Sequence, residues 1–184
     1  MRAKPFGLGI LVGRFQTVHT GHREMIETAI ALCDTVGILV GSSQESGTLK
    51  NPFSYEMRKK MLYKVFGNAI RVYPLPDIGV GNTARWGLYV LENVKKDFGR
   101  SPDLLISGRE SRRADWLDSE EGRAVAELYI PKTIEISATQ MREFCLADDR
   151  EAWQKCTPHE LWPMYETLRD IVTASKNNTE TASI

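Results

Sequence analysis

The sequence predicts an α/β fold: an open parallel β-sheet with helices on both faces. Three observations carry that reading. Short apolar runs recur along the chain, and the first, LGILVG at residues 8–13, is continuously apolar, as in a strand buried on both sides. Segments with apolar residues at helical spacing lie between the runs. The glycines, histidines and arginines gather just after the runs, where ligands bind in parallel sheets.

Taken in order, residues 8–13 form the first strand. Residues 21–33, GHREMIETAIALC, place Met25, Ala29 and Leu32, then Ile26, Ile30 and Cys33, on a helix. TVGILVGS (35–42) is the second strand, followed by the loop SQESGTLKNPF. Ser54 caps the next helix, with Glu56 in its first turn and Met57, Met61, Leu62 and Val65 as its stripe. IRVYPLP (70–76) is the third strand, and the turn-rich DIGVGNTARW (77–86) leads into a helix through about Asp97. DLLISG (103–108) is the fourth strand. Residues 109–127 are polar and partly helical, and TIEIS (133–137) is the fifth strand. ATQMREFCLADD opens another helix, and Pro158 starts the last, with Leu161, Met164, Tyr165, Leu168 and Ile171/Val172 on one face. One domain over 1–174 and a polar, frayed tail over 175–184 complete the expectation. Right-handed crossovers between parallel strands make the sheet Rossmann-like.

Composition narrows the function. Twenty-four basic and 24 acidic side chains give a net charge of zero, which argues against sequence-independent nucleic-acid binding. No apolar run reaches the roughly 20 residues of a membrane helix. The basic start and short apolar stretch of MRAKPFGLGILVGRF imitate a signal peptide, but no small-residue cleavage site follows, so the stretch is read as a buried strand. Cys33, Cys145 and Cys156 are widely spaced and without a C-x-x-C pair, as expected of reduced thiols in a cytoplasmic protein.

GRFQTVHTGH (13–22) carries two of the three histidines of the chain. A metal site would need three or four ligands, and the remaining histidine and cysteines are scattered. General-base chemistry is open to a residue that titrates near neutrality. A plain capping role for His19 and Thr20 is also open. The remaining account is anion binding: a helix start offers free N–H groups and a positive dipole end, Gly21 admits close approach, and imidazole N–H groups grip phosphate oxygens.

These residues resemble the H-x-G-H motif of the nucleotidyltransferase superfamily, and ISATQMR (136–142) resembles its second signature, I-S-x-T-x-x-R. Both fall at strand-to-helix junctions in the right order. GSSQESGTLKNPFSYEMR (41–58), the N-x-x-x-W of NTARW (82–86) and SGRES (107–111) are similar to the archaeal-type nicotinamide-nucleotide adenylyltransferases. The resemblance covers residues 8–147. It departs at Thr17, where that family has proline, at Lys50, which keeps a charge but not a guanidinium fork, and in a longer loop before Trp86. No Nudix signature is present.

The resemblance implies transfer of AMP from ATP to nicotinamide mononucleotide, giving NAD and pyrophosphate. His19 and His22 would hold the ATP phosphates, with Arg14, Lys50 and Arg142 adding positive charge. Gly13, Phe15 and Gly21 would belong to the same site, and Ser137 and Thr139 would donate to the β- and γ-phosphates. Mg²⁺ would accompany ATP, held mostly by phosphates and water. Trp86 could stack on the nicotinamide ring, with Asn82 ordering its loop. Plainer accounts stand beside these: a surface arginine for Arg14, a solvated loop lysine for Lys50, a core tryptophan for Trp86. Arg109, Arg112 and Arg113 either line the nucleotide site or are solvated. A homo-oligomer is expected from the resemblance, and neither a nucleic acid nor a membrane is expected as a partner. The alternatives are a related transferase acting on nicotinate mononucleotide, pantetheine phosphate or a cytidylyl substrate, and a nucleotide-binding regulatory module without turnover.

Overall fold

In the computed structural model, which describes residues 3–81, 83–109, 112–131 and 136–181, five strands make one parallel sheet. They are β1 (Phe6–Gly13), β2 (Cys33–Gly41), β3 (Arg71–Leu75), β4 (Leu104–Ser107) and β5 (Ala126–Tyr129), in spatial order β3-β2-β1-β4-β5. Helices α1 (Thr20–Leu32) and α2 (Tyr55–Phe66) carry the chain outward from β1 to β3. Helix α3 (Ala84–Phe98) then returns it across β1 to β4. The strand order therefore reverses between β1 and β4, and a crevice opens beyond their carboxyl ends.

Alternation along the strands splits the core into two layers. Leu11, Ile38, Val72 and Ile106 face one side, where they meet Ile26 of α1, Met61 of α2, Met141 of α6 (Ala138–Leu146), Trp153 of α7 (Arg150–Lys155) and Leu168 of α8 (Tyr165–Thr181). Leu8, Ile10, Leu39 and Leu105 face the other, against Trp86, Val90 and Val94 of α3 and Trp116 at the end of the short helix α4 (Arg112–Trp116). A further short helix, α5 (Glu120–Arg123), precedes β5. The Rossmann-like sheet with helices on both faces is thus the architecture observed.

The fifth strand differs from expectation. It is AELY at 126–129, at the end of the stretch read as polar and partly helical. Its partly exposed pattern is that of an edge strand, which gives no apolar run to detect. Of the strand expected at 133–137, residues 133–135 lie outside the described ones, and Ile136 and Ser137 belong to no strand. Cys33 begins β2 rather than ending a helix. The polar stretch from residue 175 continues α8 through Thr181, with Ser175 buried and its hydroxyl donating to the Ile171 carbonyl. Cys33, Cys145 and Cys156 are free thiols, and burial pushes Cys145 up to about 12, which keeps it an inert thiol at neutral pH. Among the described residues no helix is long and apolar enough to cross a membrane.

Candidate active site

A cleft of about 790 Å³ lies beyond the carboxyl ends of β1 and β4, at the point where the strand order reverses. Gly13, Arg14, Phe15, His19, Gly21, His22, Trp86, Ser137, Thr139 and Arg142 all line it, so both signature segments and the tryptophan open onto one space. Lys50 does not: it is exposed in the loop between β2 and α2 and lines no part of the cleft. Its neighbour Asn51 makes the nearer contact, accepting from Arg14 Nη1 at 3.3 Å. Asn82 lies outside the described residues.

The α1 end is built around the two imidazoles. His19 is the N-cap, 9% exposed, and its ring stacks on that of His22 with centroids 3.7 Å apart. Phe15 packs against His22 as well, at 4.8 Å. The His19 backbone N–H donates to His22 Nδ1 at 3.3 Å. An imidazole accepting at Nδ1 holds its own proton on Nε2, so the tautomer of neutral His22 is set by the helix start. Capping and anion binding are therefore compatible, since different atoms serve them. The Thr20 N–H is taken by the Cys156 carbonyl at 2.9 Å, so this helix start is also tied to the C-terminal layer. A Cβ at Gly21 would sit 3.3 Å from the His19 ring, which makes glycine the residue that leaves the imidazole in place.

The α6 end is a capping box. Gln140 N–H donates to Ser137 Oγ, and the Ser137 N–H and hydroxyl both donate to Gln140 Oε1 at 2.9 Å. Arg142, one turn further on, donates through Nη2 to Thr139 Oγ1 at 3.1 Å and through Nη1 to the Gln16 carbonyl at 3.3 Å. The second signature thereby braces the first. Burial and then the nearby Arg14 charge lower the Arg142 pKa, with Glu143 acting the other way.

Two residues in this half escaped the sequence reading. Gln16 is buried, and its amide pairs with the backbone of Phe53 in both directions, 3.0 Å from Nε2 to the carbonyl and 2.9 Å from the Phe53 N–H to Oε1. Arg58 is completely buried, with its fork spread over backbone carbonyls. Burial, then the charge of Arg14, pushes its pKa down to about 10, so it stays charged at neutral pH. A signal for Arg58 existed: with Met61, Leu62 and Val65 it lies at i, i+3, i+4 and i+7, a charge on the apolar face of a helix. Nothing local singles out Gln16.

The opposite wall is the loop from Asp77 to Gly81, which follows β3. Ser42 Oγ donates to Asp77 Oδ2 at 2.6 Å, and the Asp77 N–H donates to Gln44 Oε1 at 3.0 Å. Gly79 and Gly81 have φ values of 73° and 63°, which only glycine adopts without strain. Trp86 is 8% exposed; it borders the cleft yet packs on Trp116 at 6.4 Å and Tyr89 at 5.4 Å. The core and cleft accounts of this residue thus both describe it. Gly87 lets α3 approach closely, because a Cβ there would collide with the Trp116 backbone. Arg109 lines the cleft, its N–H and carbonyl both bonded to the Ser107 hydroxyl at 3.1 Å. Arg112 and Arg113 lie in α4, and their side chains fall outside the described ones.

Among the described residues no group of three or more His, Cys, Asp and Glu side chains could hold a metal ion. The cleft gathers Arg14, Arg109 and Arg142 with two imidazoles and two helix starts, beside the carboxylates of Glu24 and Asp77. Guanidinium groups and helix starts are groups suited to phosphate oxygens.

The fold and this cleft define a nucleotidyltransferase: the chain belongs to the cytidylyltransferase-like family, whose model matches residues 10–144. More narrowly, it is 40% identical to the nicotinamide-nucleotide adenylyltransferase of Saccharolobus solfataricus over 175 residues, covering 89% of this chain and 90% of that one. It is 33% identical to the enzyme of the same name from Thermococcus kodakarensis over 169 residues, covering 89% and 82%. A bifunctional NMN adenylyltransferase/ADP ribose pyrophosphatase from Francisella tularensis, solved with AMP and a manganese ion, superposes with a TM-score of 0.72 at 21% identity, over 94% of this chain and 53% of that one.

Proposed function

We propose that this chain transfers AMP from ATP to nicotinamide mononucleotide, forming NAD and releasing pyrophosphate. The observation that carries the reading is the meeting of both signature segments and Trp86 in one cleft. It is supported by similarity to nicotinamide-nucleotide adenylyltransferases across nearly nine-tenths of the chain.

The chemistry asks little of a base. A 5′-phosphate oxygen of the mononucleotide attacks the α-phosphorus of ATP. The new P–O bond forms as the bond from the α-phosphorus to the bridging oxygen breaks, and the electron pair leaves with pyrophosphate. A phosphate dianion is already nucleophilic, so alignment and charge stabilisation supply the catalysis. His22, its tautomer set by His19, donates to the α-phosphate as charge builds. Arg14 and Arg142 offset charge on the two anions, and the α6 start with Ser137 and Thr139 receives the β- and γ-phosphates. Mg²⁺ enters as part of the ATP substrate, held by phosphates and water. Trp86 supplies the flat wall for the nicotinamide, at the price of part of its own burial.

The test is pyrophosphate release from ATP and Mg²⁺ with a panel of acceptors: nicotinamide mononucleotide, nicotinate mononucleotide and pantetheine phosphate, with CTP as the alternative donor. Turnover with nicotinamide mononucleotide far above the rest is expected. Preference for another acceptor, or binding without turnover, overturns the proposal.

A further inference from the structure

Arg58 lies behind the cleft floor and lines no part of it. We infer that it is a positioning residue: it turns the backbone N–H groups of Phe15 and Ser42 toward a phosphate anion in the cleft. The inference rests on the proposed adenylyl transfer only in naming which anions those are.

The guanidinium has five N–H bonds, and each meets a backbone carbonyl. Nε donates to Ser54 at 3.3 Å, Nη1 to Arg14 at 3.1 Å and Gly41 at 2.9 Å, and Nη2 to Ser42 at 3.0 Å and Glu45 at 3.4 Å. No carboxylate bonds to it among the described residues. The Asp77 charge acts on it only at a distance, and a fully buried cation without a bonded carboxylate among the described residues is a costly way to tie down a loop that neutral donors could hold. Its particular contribution is therefore to be sought in its charge and in the five-donor fork.

Nη1 bridges the ends of two adjacent strands. Gly41 is the last residue of β2, and Arg14 follows the last residue of β1. The residues after these two carbonyls, Phe15 and Ser42, both have left-handed backbone, with φ of 52° and 48°. Neither is glycine, so both conformations persist only where surrounding contacts impose them. Both residues line the cleft.

In a trans peptide the carbonyl and the next N–H point in opposite directions. Drawing the Arg14 and Gly41 carbonyls onto a guanidinium behind the floor therefore swings the Phe15 and Ser42 N–H groups to the cleft side. Two N–H dipoles from neighbouring strand ends then present their positive ends to the cleft. Arg58 adds its own charge behind them, in a low-dielectric setting where it is weakly screened. The anion is a phosphate, and in the proposed reaction it belongs either to ATP or to the mononucleotide.

Arg58→Lys keeps the charge and loses the fork; Arg58→Met loses both. Binding of pyrophosphate and nicotinamide mononucleotide is measured for each, beside phosphate-free adenosine and nicotinamide riboside. Arg58→Lys should weaken at least one phosphate ligand about tenfold, and Arg58→Met more, with the two nucleosides unchanged. Which phosphate ligand suffers identifies the source of the anion. A folded variant that binds all four as wild type does, or weakens all four alike, overturns the inference. In the wild-type chain, hydrogen exchange at the Phe15 and Ser42 amides should slow when pyrophosphate or the mononucleotide is added. Exchange unchanged with both overturns it even if neither variant folds. A chain that shows this Arg58 dependence yet makes no NAD refutes the acceptor assignment and leaves Arg58 in its role; the converse result does the opposite.

Discussion

The two walls of the cleft are held in different ways. On the wall proposed to take the phosphates nearly every piece is fastened to another. Arg142 reaches the Gln16 carbonyl, Gln16 pairs with Phe53, and the His19 N–H fixes His22. On the opposite wall a loop with two left-handed glycines is fastened by Asp77, through Ser42 and Gln44, and ends at a tryptophan embedded in the second core layer. In the proposed reaction the difference matches the demands on each wall. Stabilising charge on a reacting phosphorus needs donors placed in advance. Recognising a flat ring needs a surface and a loop that fits its edge. An altered acceptor would thus be accommodated by changes in the loop and Trp86, with the phosphate wall kept.

The sharpest way to break this comparison is His22→Ala. It removes a donor from the rigid wall, and loss of one such donor costs about 3 kcal/mol in the transition state. A collapse of kcat with only a modest change in KM for ATP is expected, measured by steady-state kinetics in both substrates. An unchanged kcat would remove His22 from the chemistry.

Arg142→Ala comes next. It takes a cation from the cleft and releases the Gln16 carbonyl, so ATP affinity and pyrophosphate inhibition should weaken together, by about tenfold or more. Product-inhibition kinetics read both, and unaltered pyrophosphate inhibition would mean that the α6 start does not receive the leaving phosphates.

The other wall is tested at Trp86. Truncation to alanine should lower the melting temperature, because large buried aromatics cost about 3–5 kcal/mol when removed. Trp86→Phe is the discriminating variant: it keeps most of the packing and shrinks the stacking surface, a change of roughly 1 kcal/mol. A several-fold rise in the acceptor KM with the ATP KM steady supports the division. Equal damage to both substrates would make Trp86 a core residue alone.

Smaller effects sharpen the picture. Gly21→Ala would press a methyl group against the His19 ring at 3.3 Å, and a loss of several-fold in kcat is expected, with little change in the acceptor KM. Lys50→Ala should change the KM for ATP by no more than about twofold, since exposed charges contribute little through solvent. A large loss would mean that the loop carrying Lys50 folds over the bound nucleotide.

Much of this protein could be read from the order of its residues. Strands β1 to β4, the helix starts at His19, Ser54 and Ser137, and the cleft beyond the strand ends all follow from signals spanning a few residues. Periodicity, capping and strand-to-helix junctions are local, so they survive without coordinates. Tertiary structure decided the rest. Strand β5 exists because β4 offers an edge to pair with, and AELY has no apolar run of its own to announce it. Lys50 and Arg14 carry the same charge and both are exposed, but only the path of the loop shows that Arg14 lines the cleft and Lys50 does not. Trp86 reaches both core and cleft because α3 packs on α4 at Gly87, a contact between distant segments. The Gln16 clamp spans 37 residues and the Arg142 brace 126. Such long-range bonds leave no period in the sequence, since the partners are chosen by the closed fold and not by spacing along the chain.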